Sequence, residues 1–301
     1  MRTLAFTPIL LLSLACGREP AAPEESDAAS LRIERATGGY DVYVYDVGSG
    51  SVIQATGIVG AGEFNPSFAP SGRAIIHDVV TPSTHDLYIT DLATHVSTPL
   101  TGGDGGNDAD WSAAGLIAFD RAPAGDPSVY VVAASGGTRS RIRAHAVEPD
   151  WDPTGRRLVV VDVTDGSVRV VLLGSGNEHT VAPFGANPTW SSEGRRIAYS
   201  DGNNIYFVRV GDAGAAVGAP VQVTFDGPSV FNGQPSWSSD DQTIVFHSNR
   251  GNTVFDFDLW TVRITGGEPT RLTGTVGQGD FDPSYFLNRL VAFAGFTPAH
   301  P

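Results

Sequence analysis

The sequence predicts an all-β fold, a six-bladed β-propeller closed by pairing of its N- and C-terminal strands, and three observations carry that prediction. A short phrase centred on an aromatic residue recurs six times, as Asn65-Pro-Ser-Phe68, Asp108-Ala-Asp-Trp111, Glu148-Pro-Asp-Trp151, Asn187-Pro-Thr-Trp190, Gln234-Pro-Ser-Trp237 and Asp282-Pro-Ser-Tyr285. The anchors lie 43, 40, 39, 47 and 48 residues apart, the period of a four-stranded blade. A glycine follows the anchor at Gly72, Gly115, Gly155 and Gly194, where a tight hairpin needs positive φ.

The elements follow in order from residue 31. Leu31–Ile33, Tyr40–Tyr45 and Ser51–Thr56 read as strands with no anchor phrase before them, and Pro283–Phe286 and Leu290–Ala294 read as strands at the other end. The two partial blades complete one another, which removes the exposed edges of the sheet. Leu31–Ile33 and Leu290–Ala294 both have the pattern of a second strand, so a seven-bladed ring is the alternative. Third strands recur at Asp41-Val-Tyr43, Asp86-Leu-Tyr88, Ser128-Val-Tyr130, Ser167-Val-Arg169, Asn204-Ile-Tyr206 and Asp258-Leu-Trp260. Alternate side chains on such strands face opposite sheets, so the aliphatic and aromatic sets pack between blades. Asp241 stands where the other blades have the turn glycine. Because Asp tolerates positive φ less well, a variant turn is expected there.

Ahead of the repeats, Arg2 and the apolar run Leu4 to Leu14 form a targeting segment too short for a permanent membrane span. Leu12-Ser-Leu-Ala15-Cys16 resembles the lipobox of bacterial lipoproteins, although Ser13 and Leu14 depart from its usual pattern. That resemblance implies cleavage before Cys16 and lipidation of its thiol, and Gly17 in place of Asp implies the outer membrane. Cys16 is the sole cysteine of the chain, so an internal disulfide is excluded. The expected organisation is a signal peptide over 1–15, the lipidated Cys16 and a Pro, Ala and acid-rich tether over 16–30, one propeller over 31–296, and a tail over 297–301.

The formal charge is −14, and all 19 basic residues are Arg. Such a field disfavours nucleic acid and favours cations or basic partners. The run Pro235-Ser-Trp-Ser-Ser-Asp-Asp-Gln-Thr-Ile-Val-Phe246, with Asp258-Leu-Trp260 and Thr270-Arg-Leu-Thr273 after it, resembles the WD-like repeat of TolB-type propellers over residues 31 to 295. The resemblance implies a periplasmic six-bladed ring whose channel mouth receives a lipoprotein. TolB-type proteins carry a further N-terminal α/β domain, and only residues 17 to 30 precede the repeats here, so a different role is expected.

Two readings of the phrase's first residue stand side by side. Asn65, Asp108, Glu148, Asn187, Gln234 and Asp282 all bear side-chain oxygen, and the repeat places them where the innermost strands begin beside the channel. They form a ring for a hydrated cation or a partner's basic side chain, or they are turn formers bonded to their own backbone. Direct six-fold Ca²⁺ ligation is disfavoured, because it needs oxygens at about 2.3–2.6 Å and a propeller mouth is wider. The long loops Asp78–His85, Arg121–Pro127, Asp226–Gly233, Ser248–Phe257 and Gly274–Phe281 share that face, so it is the expected binding face.

No catalytic phrase occurs, and His77, His85, His95, His145, His179, His247 and His300 fall on different elements. Phe255 and Phe257 are either an exposed contact or packing over the neighbouring blade. The expected function is a monomeric, lipid-anchored, non-enzymatic propeller of the cell envelope that binds a protein or peptide. A carbohydrate- or peptide-acting hydrolase or lyase and a metal-stabilised binding propeller are the alternatives.

Overall fold

The computed structural model describes residues 39–252, 256–274 and 279–297. The signal segment, Cys16, the tether, Leu31–Ile33 and Phe255 lie outside the described residues. Among the described residues no helix is long and apolar enough to cross a membrane.

Among the described residues, twenty-four strands form six four-stranded antiparallel sheets. The chain opens with β1 (Gly39–Asp46) and β2 (Val52–Gln54). Blade 1 is β3 (Gly62–Phe68), β4 (Ala74–Val80), β5 (His85–Asp91) and β6 (Ser97–Pro99). Blade 2 is β7 (Asn107–Trp111), β8 (Leu116–Arg121), β9 (Ser128–Ala133) and β10 (Ser140–Ala144), with a short 3-10 turn at Pro123–Gly125. Blade 3 holds β11 (Ala146–Trp151), β12 (Arg157–Asp162), β13 (Val168–Leu172) and β14 (Glu178–Ala182), and blade 4 holds β15 (Ala186–Trp190), β16 (Arg196–Ser200), β17 (Ile205–Val210) and β18 (Ala216–Gln222). Blade 5 is β19 (Asn232–Trp237), β20 (Thr243–Ser248), β21 (Asp258–Arg263) and β22 (Thr270–Arg271).

The sixth sheet runs β2-β1-β24-β23, where β23 is Asp280–Phe286 and β24 is Leu290–Thr297. The chain ends therefore supply two strands each, and β1 pairs with β24 along its whole length from Gly39↔Thr297 to Asp46↔Leu290. Leu290–Ala294 takes the second-strand place, and the ring has six blades. Closure leaves no open edge between first and last blade.

Six apolar clusters fill the six interfaces between neighbouring blades, and each anchor packs backwards onto the preceding blade. Trp190 joins Ile197 and Val208 of its own blade to Val159, Val168 and Val170 of blade 3. Trp151 does the same toward blade 2, Trp237 toward blade 4, and Phe68 toward the closing blade. These four anchors are buried, while Trp111 and Tyr285 are half-buried. Arg157 lies over the Trp190 ring, 4.4 Å from its centroid, so the indole's outer face is used as well.

Gly72, Gly115, Gly155 and Gly194 all have positive φ, from 66° to 77°. At Gly72 the need is double, since an added Cβ would come within 2.4 Å of the Phe286 ring. Asp241 corrects the expectation of a variant turn. Its φ is 55°, and its N–H donates to the Ser238 carbonyl at 2.9 Å as the Gly194 N–H does to Ser191. The strain is offset because its carboxylate accepts the N–H groups of Ser192 and Glu193 in the preceding blade, at 2.7 and 2.9 Å. The differing turn belongs to the sixth blade, where Leu287 and Asn288 both take positive φ, the signature of a type I′ hairpin.

Candidate functional site

The first residue of each repeated phrase has left-handed backbone. Asn65, Asp108, Glu148, Asn187, Gln234 and Asp282 have φ between 46° and 55°. The register of every innermost strand shifts at that position, as between Phe64 and Ser67 or between Asn107 and Asp110. The phrase is thus a β-bulge repeated six times. Proline follows in five of the six, and it fits because a bulge removes the ladder bond that proline cannot donate. Such backbone is costly for a residue with a Cβ.

These bulges bring three rings of residues to the end of the channel. The residues before proline, the prolines with Ala109, and Ser67, Asp110, Asp150, Thr189, Ser236 and Ser284 together line a chamber of about 130 Å³. Five of the lining residues are carboxylic acids and none is basic.

The side chains tie blade to blade instead of closing on their own backbone. The Asp282 carboxylate accepts the Asn65 N–H at 3.2 Å, and Glu148 accepts the Asn187 N–H at 2.5 Å. One layer deeper, Asp110 accepts the Trp151 N–H at 2.8 Å and the Ser67 hydroxyl at 2.8 Å. Asp150 accepts the Trp190 N–H at 2.6 Å. These bonds run from blade to blade, where the turn-former reading expects a side chain to bond its own backbone.

Two further acids stand behind the ring, and sequence reasoning did not single them out. Buried Asp78, on β4, accepts Asn65 Nδ2 at 2.8 Å and faces His85 Nε2 at 3.3 Å. Buried Asp120, on β8, accepts the Glu148 N–H at 3.0 Å. Their signal was an Asp near the end of two successive second strands, ten and nine residues after the anchors Phe68 and Trp111; the pairings Phe64↔Asp78 and Asn107↔Asp120 show the equivalence.

Crowding in a low-dielectric pocket raises these acids together. Burial, then the charges of Asp78, Asp120, Glu148 and Asp282, hold Asp108 well above the ordinary carboxylate range. Burial pushes Asp120 up to about 7 and Asp282 up to about 6. Burial and the Asp110 charge hold Asp150 well above the usual range, and burial raises Glu148 and Asp110. These acids therefore hold their protons more tightly than exposed carboxyls do.

Among the described residues no group of three or more His, Cys, Asp or Glu side chains is arranged to hold a metal ion. His77 is buried against Glu63 and Thr90, whereas His247 is buried in ring contact with Phe231, Phe257 and Phe281. Phe257 thus packs over the neighbouring blade. The chamber shares its face with the loop of His85, because the β4–β5 hairpin carries Asp78 and His85 together to its rim.

Comparison with known proteins supports the architecture. The family model described as the dipeptidyl peptidase IV N-terminal region matches residues 152–242, less than half of the chain. A search of curated proteins finds no match. Among solved structures, a TolB-type protein from Agrobacterium tumefaciens has a TM-score of 0.73 at 18% identity, covering 87% of this chain and 99% of that one. TolB from Acinetobacter baumannii has a TM-score of 0.59 at 16% identity over 85% of this chain, which spans 63% of that protein. The tricorn protease has a TM-score of 0.55 at 15% identity, with 74% of this chain aligned to 23% of that one. The shared property is a TolB-like propeller fold.

Proposed function

We propose that the protein is a lipid-anchored, non-enzymatic propeller of the cell envelope that binds a protein or peptide by taking a basic side chain into its channel mouth. The observation that carries this reading is the convergence of five carboxylic acids, with Asp78 and Asp120 behind them, on a chamber without a basic lining residue. A guanidinium or ammonium entering there is attracted by the acids and lowers their proton affinity, so binding releases protons. A chamber of about 130 Å³ suits one side chain or a hydrated ion and is small for a drug-sized ligand. The TolB-like fold and the lipobox resemblance at Cys16 support an envelope location.

The test is capture from native membranes with wild type and with a variant carrying Asp108→Asn, Glu148→Gln and Asp282→Asn, which keeps the acceptor oxygens of the cross-blade bonds. A protein retained by wild type and lost by the variant is the expected result; identical captures would refute the reading. Metabolic labelling with a radioactive fatty acid is expected to mark wild type and to miss Cys16→Ser.

A second reading, a hydrolase or lyase, is favoured by one observation. Acids held at about 7 and about 6, as Asp120 and Asp282 are, are suited to general acid–base work at neutral pH. Turnover of a peptide or glycan that Asp120→Asn abolishes would establish it in place of simple binding.

A further inference from the structure

We propose that the channel mouth is two-sided, acidic on one half and aromatic on the other, and that it selects a peptide carrying an aromatic residue close to its Arg or Lys. This inference rests on the chamber taking a basic side chain, and it names the class of segment that brings one. The repeat reveals the aromatic half. Three positions before each residue of the oxygen ring stand Gly62, Gly105, His145, Phe184, Phe231 and Gly279. Blades 3, 4 and 5 therefore present a ring-bearing side chain where blades 1 and 2 and the closing blade present none. Three residues of extended chain span at most about 11 Å, so each of these backbones lies within that reach of the chamber wall.

Both phenylalanines are exposed yet held in place. Phe184 is 57% exposed and Phe231 40%. Phe184 sits between Pro183 and Gly185. The Gly185 N–H donates to the Gly166 carbonyl at 3.0 Å, and a Cβ on Gly185 would come within 2.6 Å of the Tyr199 ring, which pins the backbone against blade 4. The Phe231 N–H donates to Asn249 Oδ1 at 2.7 Å, and its ring stacks on His247 at 5.6 Å. Gly233 makes room for that ring, since a Cβ there would meet it at 2.7 Å. On blade 3 the exposed His145 ring is placed by Asp126, 3.3 Å from its Nδ1. Aromatic surface fixed in advance binds at low cost in conformational entropy.

The charges lie on the other half. The ring residues that follow Phe184 and Phe231 are the uncharged Asn187 and Gln234, whereas Asp108 and Asp282 belong to blade 2 and the closing blade. Asp78 and Asp120 stand behind blades 1 and 2, and Glu148 of blade 3 marks the boundary. A purely basic segment leaves the phenylalanines in water, and a purely apolar one gains nothing from the acids. A segment with both groups uses both halves. An extended strand rises about 3.3 Å per residue and turns alternate side chains to one side. An aromatic residue two positions from the Arg thus reaches the platform while the guanidinium enters the chamber.

Calorimetric titration of the full chain with three end-blocked hexapeptides tests the selection: Gly-Trp-Ser-Arg-Ser-Gly, the same peptide with Ala for Trp, and the same with citrulline for Arg. The Trp peptide is expected to bind about tenfold more tightly than the Ala peptide, the factor for burying roughly 55 Å² of apolar surface. Phe184→Ser and Phe231→Ser should each reduce that factor, and together abolish it, while the preference for Arg over citrulline persists. Phe184→Ser removes an exposed side chain and should leave the melting temperature unchanged. Val217→Ser, 55% exposed on the outer strand β18, should keep both preferences. A Trp preference that is absent, that survives the double variant, or that Val217→Ser also removes would overturn the proposal, even where the Arg preference upholds the reading of the chamber. Equal affinity for the Arg and citrulline peptides, or no binding of any of the three, would overturn that reading and this proposal with it.

Discussion

Replacing Asp282 by Asn should stabilise the protein at alkaline pH and leave it almost unchanged in acid. Asp282 is held from 3.8 up to about 6, chiefly by burial and also by the nearby Asp78. A carboxyl raised on folding binds more protons in the native state than in the unfolded chain. Its destabilising effect is therefore absent below the unfolded value and grows as pH rises through about 6. The full displacement is worth about 3 kcal/mol, at about 1.4 kcal/mol per tenfold change in proton affinity. Partial exposure to the chamber reduces this to about 1.5 kcal/mol by solvent screening. For a domain of this size the variant should melt about 3 °C above wild type at pH 8. The asparagine oxygen still accepts the Asn65 N–H, so the geometric role survives. Thermal unfolding followed by circular dichroism at pH 4.5 and pH 8 reads the difference, and the easier ionisation of Asp108 beside a neutral residue 282 adds to it in the same direction. An equal shift at both pH values, or a lower melting temperature at pH 8, would refute the account of a carboxylate destabilised by its neighbours.

Glu63 is raised to about 8 by burial and by Asp41 across the closing interface, so wild type should lose stability as pH rises through about 8; Glu63→Gln should flatten that loss in urea titrations at pH 7 and pH 9.5. Asp241→Gly removes left-handed strain but also the two bonds to Ser192 and Glu193, and the net result should be a loss of about 1–2 kcal/mol in denaturant unfolding. A variant as stable as wild type would show those cross-blade bonds to be idle. Trp190→Ala should cost about 3–5 kcal/mol, because it empties the interface between blades 3 and 4 and strips Arg157 of its aromatic partner; a loss of less than about 1 kcal/mol would mean the interface collapses to fill the gap.

Much of the scaffold was legible because the repeat imposes one local solution six times. The aromatic anchors, the turn glycines and the split closing blade each follow from a period, a φ requirement and an unpaired edge. The six residues that open the phrase line one chamber. The bulge they form was not legible, since Glu148 and Gln234 are not residues that announce left-handed backbone. Asp241 misled for a related reason. Residue type suggests strain, and only the neighbouring blade supplies the N–H groups that offset it.

By itself the sequence determined what depends on residues near one another along the chain: strand periodicity, hairpin positions, blade count and the oxygen-bearing ring. Tertiary structure alone decided what depends on distances between blades. Asp78 and Asp120 stand behind the acidic chamber because the β4 and β8 strand ends pack behind the bulges of blades 1, 2 and 3. The cavity lined by Tyr43, Leu272 and Phe293 likewise brings together residues far apart along the chain. Electrostatic crowding and uncovered surface are both properties of space between elements, and a linear pattern carries neither.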